Sequence, residues 1–123
     1  MTSILFVDDD ANILQGLRRL LHNMRHQWEM SFVQSGKEAL TLLSEKSVHV
    51  VIADLQMPGM NGTQLLETVR LRYPHIVRLA LSGYPSQELT QRSLAITHWH
   101  LAKPCDAENL KLTISKACSL ATV

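Results

Sequence analysis

Four aspartates stand directly after two apolar runs of the sequence and could together do chemistry. Asp8, Asp9 and Asp10 follow the run 4–7, and Asp54 follows the run 48–53. Open parallel α/β sheets place their binding sites at the carboxyl ends of strands. If the two runs form neighbouring strands, their acids would crowd negative charge into one crevice, which is costly unless a cation or a proton neutralises it. The pattern therefore predicts a site for a hard metal ion.

The elements that must position these acids alternate along the chain, a strand and then a helix, five times over. The run 48–53 is nearly all apolar, as is typical of a parallel strand covered on both faces. Trp28, Met30 and Phe32 alternate with more polar neighbours, which favours an edge strand. The predicted strands are 3–7, 28–33, 48–53, 76–81 and 98–102. The predicted helices cover about 10–25, 36–46, 63–72, 86–95 and 107–119.

Two local signals mark where helices begin. Asp10 stands at the N-cap position of the first helix. The segment 35–38 reads Ser-Gly-Lys-Glu, which is a capping-box pattern ahead of the second helix. Both signals agree with the apolar spacing that follows them, so they strengthen the division into strands and helices.

This alternation predicts an α/β fold of the (βα)5 type, in which right-handed crossovers give a three-layer αβα sandwich. Periodicity alone does not give the order of the strands. A flavodoxin-like parallel sheet of order 2-1-3-4-5 would make the first and third strands neighbours. Asp8, Asp9 and Asp54 would then lie together at one edge of the sheet.

Length and composition point to a single domain over 1–123, with the residues after about 119 starting a linker or closing the chain. The chain has 123 residues, of which 46% are hydrophobic and 19% charged, and its formal net charge is +1. Bulk charge therefore indicates neither direct nucleic-acid binding nor attachment to an anionic membrane. No apolar stretch approaches the roughly 20 residues of a membrane span, and no signal segment opens the chain. A cytoplasmic location is expected.

Four short motifs in this order and spacing resemble the CheY-like receiver domain of two-component response regulators. The resemblance covers essentially the whole chain. The motifs are Ile4-Leu5-Phe6-Val7-Asp8-Asp9-Asp10, Asp54-Leu55-Gln56-Met57-Pro58-Gly59-Met60-Asn61-Gly62, Leu81-Ser82-Gly83-Tyr84 and Lys103-Pro104.

The resemblance implies a signalling phosphoacceptor rather than an enzyme with its own substrate. Asp54 would be the nucleophile that takes a phosphoryl group from the phosphohistidine of a sensor histidine kinase or a phosphotransfer protein. Mg²⁺, or Mn²⁺ in its place, would be held directly by Asp9, Asp54 and the backbone carbonyl of Gln56. Asp8 would act on the metal through a bound water molecule. Oxygen ligands of this kind suit Mg²⁺.

The resemblance also assigns roles around the phosphoryl group. Lys103 would pair with Asp54 and then with a phosphoryl oxygen, and Ser82 would hydrogen-bond another oxygen and act as a switch residue. Gln56 and Tyr84 would influence how long the phosphoryl group survives attack by water. His100 stands where the family usually has Tyr or Phe, so two interpretations stay open: a switch residue with some sensitivity to pH, or a partly exposed strand histidine.

The expected partners follow from the same family. The surface formed by the predicted helix 86–95, the fifth strand and the predicted helix 107–119 would dock partners or a second copy of the chain as a homodimer. An output domain would follow the receiver in a longer chain. The segment 98–106 is similar to receivers attached to HD-type domains of cyclic-di-GMP signalling, although neither the kinase nor the pathway can be read from the sequence.

Three other classes of protein share part of this sequence pattern. A degenerate receiver would be an interaction module that works without phosphorylation, although every residue needed for phosphorylation is present. A phosphatase of the haloacid dehalogenase type also begins with Asp-x-Asp after a strand. Its motif requires Thr or Val where this chain has Asn12, and it needs a late acidic pair that is absent. A flavodoxin would need a hydroxyl- and glycine-rich phosphate loop where this chain has three carboxylates, which would repel the phosphate.

Overall fold

Five parallel strands form one sheet in the order 2-1-3-4-5, which confirms the predicted fold class. The structure is a computed structural model that describes residues 2–55, 62–82, 99–102 and 107–121. Its strands are β1 (Thr2–Val7), β2 (Trp28–Val33), β3 (Val50–Asp54), β4 (Val77–Ser82) and β5 (Trp99–Ala102). Its helices are α1 (Ala11–Leu20), α2 (Gly36–Glu45), α3 (Gly62–Arg72) and, as the fourth helix of the described residues, α4 (Ala107–Ala121).

Alternate residues of the strands serve two separate cores, which gives the three layers. Ile4 and Phe6 of β1 belong to a core that includes Leu14 and Leu17 of α1 and Ile114 of α4. The intervening strand residues belong to a second core with α2 and α3, formed by members such as Leu5, Val7, Ala39, Leu43, Val51, Ala53, Leu65 and Leu66. A central parallel strand buried on both faces must be apolar throughout, which explains the continuous apolar run of β3.

The edge position predicted for β2 is confirmed, because β2 pairs only with β1 among the described strands. The two predicted helix starts are also confirmed. Asp10 accepts a hydrogen bond from the Asn12 N–H at 2.9 Å. Ser35 Oγ accepts one from the Glu38 N–H at 3.1 Å, and Glu38 Oε2 accepts one from the Gln34 N–H at 2.8 Å.

The first helix is shorter than predicted. We expected it to run to about residue 25, but α1 ends at Leu20 and a 3₁₀ turn (His22–Met24) follows. Leu21 leaves the helical conformation at φ −104° and ψ 9° while it stays fully buried. His22 and Asn23 are weak helix formers, and a tight turn here returns the chain to the buried Trp28 that begins β2.

Smaller differences concern the ends of other elements. The strands β3 and β4 start and end one or two residues later than predicted, so that Asp54 and Ser82 are their last residues. The helix α4 continues to Ala121, beyond the predicted end at 119. The helix predicted over 86–95 lies outside the described residues, as does His98 at the start of the fifth predicted strand. Among the described residues, no helix is both long and apolar enough to cross a membrane.

Candidate functional site

The carboxylates of Asp8, Asp9 and Asp54 meet at the carboxyl end of the sheet. One oxygen from each of the three lies within 4.8 Å of the others. The register explains this approach. Val7 of β1 is paired with Ala53 of β3, and each of these two residues is followed in the sequence by an aspartate. The adjacency of the first and third strands therefore brings the three aspartates together, as predicted.

The three consecutive aspartates after β1 have different environments. Asp8 is 2% exposed, its N–H donates to the Val33 carbonyl, and its Oδ1 accepts from the Asp10 N–H at 2.9 Å. Asp9 is exposed and contributes a carboxylate to the group of three. Asp10 caps α1. The buried acid is thus fixed by backbone hydrogen bonds, while its neighbour faces solvent.

The backbone around Asp54 is held by two neighbours. The Leu55 N–H donates to the Leu81 carbonyl of β4 at 3.2 Å, and the Gly62 N–H donates to the Leu55 carbonyl at 3.1 Å. A Cβ atom added to Gly62 would lie 1.9 Å from the Asp54 carbonyl oxygen. Only glycine lets the first residue of α3 approach the backbone of Asp54 this closely.

The role of Gly62 was not predicted from the sequence. The residue closes the second motif, but nothing in a single sequence states which backbone atoms it will meet. The neighbouring residues in the sequence, such as Asn61 and Gly59, do not indicate whether Gly62 serves a turn or packs against a strand end. The contact becomes apparent only when the start of α3 is placed against β3.

Of the remaining predicted site residues, two lie in described strands and three lie outside the described residues. Ser82 is the last residue of β4 and is paired with Ala102, the last residue of β5. His100 is paired with Ala80 in the same ladder, and only its backbone is described. Gln56, Tyr84 and Lys103 lie outside the described residues.

The group of three carboxylates has the chemistry of a hard-cation site. Two of its members are almost fully buried, so solvent screens their mutual repulsion poorly. All three offer oxygen ligands, which Mg²⁺ and Ca²⁺ prefer, and an exposed member leaves the group open on one side. The residues present therefore fit a divalent cation.

Comparisons with known proteins agree with this geometry. HoxA, a hydrogenase transcriptional regulatory protein of Cupriavidus necator, is 33% identical over 117 residues, which cover 94% of this chain but 24% of HoxA. The signal receiver domain of an HD domain-containing protein from Pseudomonas fluorescens superposes with a TM-score of 0.93 at 30% identity, covering 98% of this chain and 97% of that one.

A second similar structure contains a bound metal ion. The response regulator protein TrrA of Thermotoga maritima, solved in complex with Mg²⁺ and beryllofluoride, gives a TM-score of 0.84 at 26% identity and covers 95% of this chain and 99% of that one. The family model of the response regulator receiver domain matches residues 4–115. The chain therefore belongs to the response regulator receiver domain family.

Proposed function

We propose that this receiver accepts a phosphoryl group on Asp54 and acts as a phosphorylation-dependent switch. The observation that carries the proposal is the approach of Asp8, Asp9 and Asp54 within 4.8 Å at the end of two neighbouring strands. A fold gains nothing in stability from three like charges placed together, so the arrangement favours a functional origin. Membership of the receiver family supports phosphoryl transfer as the reaction.

The proposed metal is Mg²⁺, or Mn²⁺ in its place. Asp9, Asp54 and the backbone carbonyl of Gln56 would hold it directly, and Asp8 would hold it through water. The donor set supports this assignment because every ligand is an oxygen and two are carboxylates. When bound, the ion offsets the repulsion between the acidic pocket and an incoming phosphoryl group.

The proposed reaction is a transfer from phosphohistidine to carboxylate. A carboxylate oxygen of Asp54 attacks phosphorus, the new O–P bond forms as the N–P bond of the phosphohistidine breaks, and the histidine nitrogen keeps the electron pair. Transfer of this kind needs mainly positioning and charge stabilisation. The hydrogen bonds of Leu55 and the contact of Gly62 fix the backbone next to Asp54, which supports the positioning that such a transfer needs.

Lys103 and Ser82 would bind the oxygens of the transferred phosphoryl group. The pairing of Ser82 with Ala102 supports this, since the residue after Ala102 is Lys103. In this proposal, Ser82 at the end of β4 would supply the hydroxyl, and Lys103 would supply the ammonium group. An ammonium group pairs with a phosphoryl oxygen as a point charge.

Phosphorylation would bias two pre-existing arrangements of the chain rather than create a new one. Ser82 and His100 are the proposed switch residues, since His100 lies in the ladder two residues before the end of β5. Gln56 and Tyr84 are proposed to set the lifetime of the phosphoryl group. An NMR spectrum of His100 that does not change on activation would remove it from the switch.

The proposed partners are a sensor histidine kinase or a phosphotransfer protein. Residues 1–123 would form one receiver unit, with an output domain elsewhere in a longer protein, because the chain spans about a quarter of the length of HoxA. The receiver of the HD domain-containing protein supports an output of the HD type. A homodimer would form through the fifth strand and the helices on either side of it.

The test is an intact-mass measurement after incubation with Mg²⁺ and either acetyl phosphate or phosphoramidate. We expect one phosphoryl adduct that disappears when EDTA is added and is absent from the Asp54→Asn variant. An adduct of equal yield in Asp54→Asn would show that another group is phosphorylated. If no donor gave an adduct and beryllofluoride with Mg²⁺ left the NMR spectrum unchanged, an interaction module without phosphorylation would replace the switch.

A further inference from the structure

Two hydroxyl groups of the described residues are buried without a hydrogen-bond partner. They belong to Thr63, which is 4% exposed, and Ser3, which is 3% exposed. A buried polar group without a partner costs free energy, so native proteins keep few of them and often at functional positions. Thr63 lies near the carboxyl end of β3, whereas Ser3 lies at the amino end of β1.

Thr63 follows directly after a residue that packs against the backbone of Asp54. It follows Gly62, the residue whose added Cβ would lie 1.9 Å from the Asp54 carbonyl oxygen. Consecutive Cα atoms are 3.8 Å apart, so the Thr63 backbone begins one residue from that contact. Leu65 and Leu66, which follow in α3, are fully buried and fix the helix against the core. The first turn of α3 therefore packs directly against the backbone of Asp54.

We propose that Thr63 is a positioning residue whose hydroxyl gains a hydrogen-bond partner when Asp54 carries its phosphoryl group. The partner is an oxygen of the phosphorylated Asp54 segment or of a water molecule held there. The hydroxyl is unpaired in the present state and paired in the phosphorylated one, so its differential interaction favours the phosphorylated state. The inference rests on the proposed phosphorylation of Asp54.

The test compares variants that differ by the hydroxyl alone. Thr63→Val keeps the branched shape and removes the hydroxyl, whereas Thr63→Ser keeps the hydroxyl. Ser3→Ala removes the second unpartnered hydroxyl, far from Asp54, and is the matched control. Beryllofluoride stands in for the phosphoryl group, and its affinity at saturating Mg²⁺ is measured by titration calorimetry. Urea denaturation without ligand reports the stability of each variant.

We expect Thr63→Val to bind beryllofluoride about tenfold more weakly, the size of one buried hydrogen bond. Thr63→Ser and Ser3→Ala should bind it as the unmodified chain does. If Thr63→Val does not fold, the pair Thr63→Ser and Thr63→Ala provides the same comparison, since these variants also differ by one hydroxyl. Both quantities are measured because the loss of a merely structural hydroxyl would change the free energy of unfolding and leave the affinity for beryllofluoride unchanged.

Two results would overturn the inference while leaving the proposed function intact. One is unchanged beryllofluoride affinity in Thr63→Val, and the other is an equal loss of affinity in Ser3→Ala. Failure of the unmodified chain to bind beryllofluoride or to accept a phosphoryl group would instead overturn the proposed function, and the inference with it.

Discussion

The two ends of the sheet treat charged and polar groups in opposite ways. At the carboxyl end, three carboxylates lie within 4.8 Å of one another. At the amino end, two contacts join complementary groups. The Ser3 N–H donates to His49 Nδ1 at 3.0 Å, and Lys46 pairs with Glu29, the residue opposite Ser3 in the β1–β2 ladder.

This contrast separates what the fold needs from what the function needs. Complementary pairs at the amino end lower the free energy of the folded state whether or not a ligand is present. Like charges at the carboxyl end raise the free energy of the folded state until a bound cation neutralises them. Substitutions at the amino end should therefore change stability alone, whereas those at the carboxyl end should change stability and Mg²⁺ response together.

The largest effect is expected at Gly62. Gly62→Ala places a methyl group where the Asp54 carbonyl lies, so the backbone of α3 or β3 must move, and we expect a loss of about 3 kcal/mol in the free energy of unfolding together with loss of the phosphoryl adduct. Gly16→Ala in α1 is the control, because a Cβ there meets no atom within 4 Å. It should gain up to about 1 kcal/mol from helix propensity. Urea denaturation measures both variants, and equal effects would contradict the packing argument.

The next effect concerns the repulsion within the acidic group. Asp8→Asn removes one buried charge yet keeps an acceptor for the Asp10 N–H, so without divalent cations the free energy of unfolding should rise by about 1 kcal/mol. The rise in melting temperature that Mg²⁺ gives the unmodified chain should shrink in this variant.

Asp10→Asn is the matched control for Asp8→Asn. It changes the net charge equally and keeps an N-cap residue of the same quality. Its stability and its Mg²⁺ response should both stay near those of the unmodified chain. A gain equal to that of Asp8→Asn would mean that the effect comes from net charge and not from the group of three.

A smaller effect is expected at the amino end. His49→Phe leaves the Ser3 N–H without its acceptor and should cost about 1 kcal/mol in the free energy of unfolding, while the yield of phosphoryl adduct stays unchanged. The exposed His26, replaced by Phe, should be close to neutral. A drop in adduct yield with His49→Phe would show that the two ends are coupled, against the separation described above.

The smallest effect belongs to the exposed pair of Glu29 and Lys46. The hydrogen bond from Lys46 lowers the pKa of Glu29 below its ordinary value of 4.5. A carboxyl group with a lowered folded-state pKa contributes stability above the ordinary value and loses it as the pH falls through the lowered one. Lys46→Met should therefore reduce the urea midpoint slightly at neutral pH, and the difference should vanish in acid. A difference that persists at low pH would show that packing of the lysine stem is responsible.

The strands were predictable because the pattern that identifies each one is local and repeated, whereas their order came from assuming a flavodoxin-like topology. A nearly continuous apolar run identifies a central parallel strand such as β3, and alternation identifies an edge strand such as β2. The capping residues Asp10 and Ser35 were equally visible, since an N-cap interacts with backbone two or three positions away. The assumed strand order then predicted that Asp8, Asp9 and Asp54 would meet.

Features that depend on distant parts of the chain were not predictable. The end of α1 at Leu20 is set by the need to bury Leu21 and to return to Trp28. The acceptor role of His49 arises from the register of β1 on β3 across 46 residues. The contact of Gly62 with Asp54 likewise requires α3 to be placed on the sheet. Periodicity describes single elements and contains no information on such registers.

The most direct test of the account is to locate the phosphoryl group itself. The chain would be phosphorylated with acetyl phosphate and Mg²⁺, treated with borohydride to reduce the acyl phosphate to homoserine, digested and sequenced by tandem mass spectrometry. The account predicts homoserine at position 54 and at no other aspartate, with unphosphorylated chain as the control. Homoserine at position 8 or 9, or a stable phosphoryl group on another residue type, would contradict the assignment of Asp54 as the acceptor.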